Sequence, residues 1–479
     1  MSRAEVTDSG ASAAAAKAVV RSPGSQRLIV ATLSVTGVVV ALQQTLVVPI
    51  LPDFSVALGV SPTTTSWLVT ATLLTGAVAT PLIGRLADLT GKRAMMLLCL
   101  AVMVAGSTIA ALGQTFPVVV TGRVMQGFAI ALLPVGISLL RDLLEPARLG
   151  GAVALMSGTM GIGSMFGMPM AGVIYAHLGW HALFWVTGGV GLALAILLVV
   201  AVPESSVRAR GRFDHVGAVM LTIALTTLLL AISKGGQWGW GSPATLGCVA
   251  VGAATLAVWV PMELRIPDPL VDLRTSVLRP VLISNVCAAL LGFAMFLSAY
   301  TATQELQAPV ESGYGPGLSE AAAGMAMMPG GLLMVVLAPL SARMTRRRGA
   351  RVTLVIGAIV IAAGYVLRAV LGPSVVNVTT SAAMISGGVA LALAAMPVLI
   401  TEAVPIDQTA TANGVNSLLR SVGTSTASAV GAAVLASSTL TVVGVTVPTL
   451  SAFTTMYWIG AAAAVAAVAV ALLPLPART

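Results

Sequence analysis

Charge is what this chain has least of. Of its 479 residues only 9% are Asp, Glu, Lys or Arg, against roughly 25% in soluble globular domains. So few charges cannot cover the water-facing surface of a chain this long, which excludes a soluble fold. Histidine is as scarce, with only His177, His181 and His215, all at the ends of apolar stretches. Cysteine is limited to Cys99, Cys248 and Cys287, each alone in an apolar run with no C-x-x-C spacing. These read as small buried hydrophobes, and no metal site or cofactor is expected. No G-x-x-x-x-G-K-[ST] run occurs, so a nucleotide-driven pump is not indicated. A membrane-embedded enzyme would need His or carboxylates clustered at membrane depth. None of the sixteen Asp and Glu lies near the middle of an apolar stretch.

What is abundant is apolar sequence: 57% of residues are hydrophobic and the mean hydropathy is +0.99. A helix needs about 20 apolar residues to cross ~30 Å of hydrocarbon. Fourteen stretches satisfy this, at 28–50, 64–84, 94–113, 117–140, 150–175, 181–202, 216–233, 244–262, 281–303, 321–342, 352–371, 377–400, 411–436 and 451–474. The net charge of +9 resides in short loops and not on a folded basic face, so nucleic acid is not an expected partner. With the N-terminus inside, only Lys234, Arg368, Arg123 and Arg420 of the 25 Lys and Arg fall outside the cytoplasmic loops and tails. The positive-inside rule thus predicts fourteen spans with both termini cytoplasmic, and a cell (inner) membrane is the expected location.

Two loops on that side align without gaps. Pro81-Leu-Ile-Gly-Arg85-Leu-Ala-Asp88-Leu-Thr-Gly91-Lys92-Arg93 matches Pro339-Leu-Ser-Ala-Arg343-Met-Thr-Arg346-Arg-Arg-Gly349-Ala-Arg351 at Pro, Leu, Arg, Gly and Arg, at a constant offset of 258 residues (81 against 339). The repeat predicts a tail at 1–27, a six-helix half at 28–205, a two-helix insert at 206–265, a second six-helix half at 266–474 and a tail at 475–479. Parallel halves with a substrate site between them are a transporter plan.

The residues then resemble a known family. Gly84-Arg85-Leu-Ala-Asp88-Leu-Thr-Gly91-Lys92-Arg93 is similar to the loop 2–3 signature of the major facilitator superfamily. Arg123-Val-Met-Gln126-Gly127 resembles its fourth-span signature, and Gly163-Ser-Met-Phe-Gly167-Met-Pro169-Met-Ala-Gly172 the antiporter motif of its fifth span. Fourteen spans with these motifs resemble the drug:proton antiporter branch. Gln307–Gly315 and Ala412–Gly423 are similar to patterns in actinobacterial members. The resemblance implies an all-α membrane fold of two six-helix halves plus two inserted helices, and export of small amphiphilic or hydrophobic compounds by alternating access in exchange for protons. Import, or lipid translocation by the same fold, remains the alternative, since the antiporter motif alone points to direction.

Each motif also has a physical reading. Loop 2–3 is placed to clasp the halves, with Asp88 accepting from a helix N-terminus or an arginine, Gly91 turning the chain, and Lys92 and Arg93 facing inner-leaflet phosphates. The fifth-span glycines permit close helix approach, although Met168 stands where the family has a further Gly. Met156, Met160, Met165, Met168 and Met170 suit either a cavity for varied apolar ligands or a lipid-facing surface. The first span departs from the family: Gln43 stands in place of its acid and Val48 in place of its Asn. An amide exchanges no proton near neutral pH, so Asp142 and Glu305, at the ends of spans four and nine, become the candidate proton sites. For Asp142 the competing role is a pairing with Arg141 or the inner clasp, and for Glu305 that of a solvated loop acid. Gln43, Gln44, Gln126, Asn416, Arg123 and Arg420 are candidates to line a cavity that favours neutral or weakly anionic compounds, either arginine serving otherwise as a carbonyl cap. The bilayer, a small-molecule substrate and protons are the expected partners of a monomer.

Overall fold

A computed structural model describes residues 23–47, 50–442 and 445–474. The predicted tail residues 1–22 and 475–479, together with Val48, lie outside them. Among the described residues fourteen helices are long and apolar enough to cross a membrane. They are α1 (Pro23–Thr45), α2 (Trp67–Thr90), α3 (Lys92–Leu112), α4 (Phe116–Leu143), α5 (Pro146–Leu178), α6 (His181–Ala201) and α7 (His215–Trp238). The series continues with α8 (Pro243–Glu263), α9 (Arg279–Gln307), α10 (Glu320–Arg348), α11 (Ala350–Val370), α12 (Val375–Ala403), α13 (Thr409–Ser437) and α14 (Leu450–Ala471). Helix is the one open-ended solution for a chain in lipid, because it satisfies every backbone N–H and C=O within the segment. A short antiparallel hairpin, β1 (Thr439–Val442) and β2 (Val445–Pro448), joins α13 to α14.

Helix ends follow local chemistry. Gly91 and Gly349 separate α2 from α3 and α10 from α11, with φ of 131° and 85°. Glycine adopts that backbone without steric cost, so both copies of the repeat reverse direction within one residue. Proline sits in the first turn of α5, α8 and α9, where its missing N–H costs nothing. The first span differs from expectation: the helix starts at Pro23 and ends at Thr45, not 28–50. Apolar content tells which residues tolerate lipid, and it does not mark where a helix stops.

Helices α1–α6 meet α9–α14 along two seams, α5 against α10 and α2 against α13. Helices α7 and α8 seat on the second seam. Ala218, Leu221, Leu225 and Leu229 of α7 and Trp259 of α8 pack with Ala77 of α2 and Leu418 of α13. Lys234 of α7, buried, donates to Ser66 Oγ at 2.6 Å and lies 4.7 Å from the Trp67 ring centroid at the start of α2.

Candidate functional site

At the arginine-rich end, the turn between α12 and α13 is gripped from both sides by residues of α2 and α4. Asp88 Oδ2 accepts from Thr411 N at 2.9 Å and Thr411 Oγ1 at 2.9 Å, and Oδ1 accepts from Ala410 N at 3.2 Å. Its carboxylate therefore caps the first turn of α13, where free N–H groups and the helix dipole favour negative charge. Arg141 donates to Val404 O at 3.1 Å, Pro405 O at 3.3 Å and the Thr409 hydroxyl. It thus caps the C-terminus of α12, where positive charge is favoured. One turn has its two helix ends met by charges of matching sign. Close packing supports the grip: a Cβ on Gly84 would stand 2.9 Å from Ala410 O, and one on Gly414 3.1 Å from Thr80 O.

Behind the grip lies a buried charge network. Lys92 Nζ is 2.6 Å from Asp142 Oδ2 and 3.8 Å from Asp88 Oδ1, and all three side chains are excluded from solvent. The expectation that Lys92 faces lipid phosphates is therefore corrected: two buried carboxylates compete for it. Arg93, half-buried, donates to the exposed Val199 O of α6 at 2.6 Å. Its repeat partner Arg351 donates to Ala471 O of α14 at 2.7 Å and Leu473 O at 2.5 Å. Each half so ties the start of its third helix to the end of its sixth. Arg85, also buried, lines a cavity of about 130 Å³ with Asp268, Asp272 and Asp407.

The fourth-span residues form a sealed knot and not a cavity wall. Arg123, 1% exposed, donates to Leu68 O at 2.8 Å, Gln43 O at 3.2 Å and Gln126 Oε1 at 2.8 Å. Gln126 Nε2 donates to Ser107 Oγ at 2.7 Å, and Gln43 Nε2 to Gln126 O at 3.1 Å. Gln43, Gln126 and Arg123 thus join α1, α2, α3 and α4, and the expectation that they line a cavity is corrected in favour of a carbonyl-capping role. Gln44 beside them is half-buried. Gly127 lets α4 approach α2, since a Cβ there would sit 2.7 Å from Thr72 O. Asn416 and Arg420 do line a cavity, of about 20 Å³, with Pro134, Ile137, Met160 and Pro397 of α4, α5 and α12. Asn416 Nδ2 donates to Ser284 O at 3.0 Å, which leaves Arg420 as the formal charge facing that space.

The glycines of α5 divide between two neighbours. A Cβ on Gly163 would lie 2.6 Å from Val38 O, and one on Gly167 would collide with Thr45, both of α1. Gly158 and Gly161 face α10, where a Cβ on Gly161 would stand 2.7 Å from Gly331 O. Gly172 meets nothing within 4 Å, so it takes no part in this packing, and Pro169 sits in a helix that continues to Leu178. Of the four methionines whose side chains are described, Met160 lines the small cavity; Met156 packs on Gly136, Met165 on Gly331 and Met170 is exposed. The Met168 side chain lies outside what the structure describes.

The major facilitator superfamily model matches residues 33–428, most of the chain. The chain belongs to that superfamily. It is 30% identical over 326 residues to the tetracenomycin C resistance and export protein of Streptomyces glaucescens, covering 68% of this chain and 60% of that protein. It is 27% identical over 391 residues to the multidrug resistance protein Stp of Mycobacterium tuberculosis, 81% of this chain and 71% of Stp. The match thus spans less than two thirds of the tetracenomycin protein. The fold is similar to the crystal structure of the human organic anion transporter MFSD10 (TETRAN), at a TM-score of 0.65, 16% identity, and coverage of 93% of this chain and 100% of that one. Membership of that superfamily agrees with the fourteen membrane-length helices among the described residues.

Two parts of this superfamily member escaped sequence reasoning. The segment after α6 reaches back to the gate: Glu204 accepts from Arg93 N and Ala94 N at 3.1 Å, capping α3, Ser205 Oγ donates to Asp142 Oδ2 at 2.5 Å, and Ala209 N donates to Asp88 O at 2.7 Å. An acid directly after an apolar span, on the basic side, was the available signal. The second is the pairing of Glu305. It is 2% exposed and not a solvated loop acid, accepting from Arg368 Nη2 at 2.7 Å and from the Tyr457 hydroxyl. This pair binds α9, α11 and α14 together, far along the helices from the gripped turn.

Proposed function

We propose that this transporter exports small amphiphilic or hydrophobic compounds by alternating access, in exchange for protons, as a monomer in a bacterial inner membrane with both termini cytoplasmic. The observation that carries this is the gripped turn. Asp88 and Arg141 hold the helix ends of the second half at the arginine-rich end, which loop charge assigns to the cytoplasm. Beyond the midpoint the same seam loosens into a cavity of about 100 Å³ lined by Val69, Leu73, Phe296, Thr424 and Ser428. A seam closed at one end and open further along is what alternating access requires of one of its two states. Names of relatives that describe drug resistance and export favour the export direction.

Of the two candidate proton sites, Asp142 is the better placed. It holds Lys92 at 2.6 Å, and Asp88 stands 3.8 Å from the same ammonium. Protonating Asp142 releases Lys92 towards Asp88, and that attraction competes with the hold of Asp88 on α13. A proton at Asp142 therefore loosens the gate. Glu305 lies away from the gate, and its pairing is structural. Arg420 lines the separate small space of about 20 Å³ between α4, α5, α12 and α13 with no acid among its lining residues; were that space to widen in the other state, it would favour neutral or weakly anionic compounds over lipophilic cations. Dye transport by Asp142→Asn and Glu305→Gln proteins under an imposed pH gradient tests the assignment. Transport uncoupled from pH in the first and coupled in the second supports it, and normal coupling in Asp142→Asn refutes it.

A further inference from the structure

The repeat places Arg346 where the first copy has Asp88, so the charge at this position is reversed between the two seams. Asp88 holds the start of α13, whereas Arg346, exposed, stands beside the start of α5, its Nη1 3.5 Å from where a side chain on Gly151 would begin. An arginine cannot cap a helix N-terminus. Two more arginines gather at the same place. Arg148 of α5 donates to Gln26 Oε1 of α1 at 2.8 Å, and Arg27 of α1 is its neighbour in sequence to that glutamine. The acid that faces them is Glu145, 3.9 Å from Arg148, with both side chains about half exposed. Three arginines from three helices thus lie around the start of α5, and Glu145 pairs with one of them, Arg148.

Below these charges runs a groove between α1, the end of α4 and α5. It has a volume of about 390 Å³ and is lined by Arg27, Val30, Leu144, Arg148, Ala152 and Leu155, with Gly151 on its wall. Leu155 is exposed to the surroundings, so the groove opens sideways along the length of the helices. A volume of this size lies within the range of small-molecule sites, and its shape is basic at the charged end and apolar along its length. Basic pockets between membrane helices bind anionic lipid headgroups, because the phosphate meets several donors while the acyl chains stay in an apolar slot.

We propose that this groove binds an anionic phospholipid. Its phosphate bridges Arg27 and Arg148 of the first half to Arg346 of the second, and an acyl chain lies against Val30, Ala152 and Leu155. The lipid supplies on the α5–α10 seam the negative charge that Asp88 supplies on the α2–α13 seam. It binds best when the two halves are together at this end, so it favours that state by mass action. Charge complementarity selects this occupant, since an uncharged lipid or an apolar segment brings no charge to answer the excess of three arginines over Glu145, which pairs with Arg148 alone. The inference does not rest on what the protein exports, and its test reads binding alone.

The test uses the full chain carrying a photo-crosslinking residue at Leu155, in vesicles of phosphatidylglycerol and phosphatidylcholine. Mass spectrometry of the adduct is expected to return phosphatidylglycerol in excess of its share of the bilayer. Arg27→Gln and Arg148→Gln each reduce that enrichment, by roughly fivefold for one basic residue beside an anionic headgroup. Ala152→Phe, which narrows the slot and keeps every charge, reduces labelling of both lipids, while Arg208→Gln on an exposed loop changes neither. Free inorganic phosphate at millimolar concentration leaves the lipid adduct in place. Adducts with residues 1–22 or with a second copy would overturn the proposal. So would equal labelling by both lipids, or enrichment untouched by loss of Arg27 and Arg148.

Discussion

Replacing Asp88 by Asn removes one charge from the gripped turn at constant size. The carboxylate accepts three hydrogen bonds from Ala410 and Thr411, two of them at 2.9 Å. Asparagine keeps one acceptor oxygen and turns an N–H₂ group towards backbone N–H donors, so at least one bond is lost and a donor faces a donor. A hydrogen bond to a charged group contributes about 1.5–3 kcal/mol, and the lost attraction to the α13 dipole adds about 0.3–1 kcal/mol. A loss of about 2–4 kcal/mol shifts the ratio of closed to open gate by roughly 30- to 1000-fold. Lys92 stays paired with Asp142 at 2.6 Å, so the variant is expected to insert and fold. A pair of spin labels across the seam, at Leu86 of α2 and Val415 of α13, reads the gate directly. Their distance distribution should move from a single short population to a predominantly long one, and dye transport should fall at least tenfold. A short distance retained in Asp88→Asn, with transport intact, would refute the reasoning and leave loop 2–3 a topology signal.

Other expectations follow from the same contacts. Gly161→Leu places a side chain against Gly331 O, where a Cβ alone would stand at 2.7 Å. It should separate α5 from α10 at a cost of about 1–3 kcal/mol or more, lowering transport while the protein remains extractable and monodisperse. Arg368→Gln leaves Glu305 charged and buried without its cation, a loss of about 3–5 kcal/mol that should appear as a lower thermal midpoint in detergent. Glu305→Gln combined with Arg368→Gln should recover part of it, and no recovery would mean that the pair is not what joins these helices. Arg420→Gln should shift competition between matched dyes towards lipophilic cations, and an unchanged ranking would remove Arg420 from the substrate space.

The helices were legible because lipid imposes a strong, simple demand: each span had to read as one long apolar run between charged or glycine-rich breaks. The repeat around Asp88 and Arg346 was legible because a tight reversal at Gly91 and Gly349 leaves a fixed spacing. What stayed hidden depends on side chains meeting across long distances. Nothing near Glu305 in sequence announces Arg368 and Tyr457, which arrive from two other helices. Lys92 looked like a residue facing lipid phosphates because its position at a helix start says nothing of Asp142, fifty residues away. Arg123 and Gln43 looked like cavity residues because a polar group in a span must be satisfied somehow; here their N–H groups find backbone carbonyls and the Gln126 side chain.

Gated transport of a small molecule across the membrane is the central claim, and purified protein in proteoliposomes tests it most directly. With a pH gradient imposed across the vesicle wall, a neutral or weakly anionic amphiphilic dye is expected to accumulate against its own gradient. Accumulation should collapse when the proton gradient is dissipated, and should be lost in Asp88→Asn protein reconstituted at equal density. A dye that merely equilibrates, at the same rate in wild-type, Asp88→Asn and protein-free vesicles, would contradict the account.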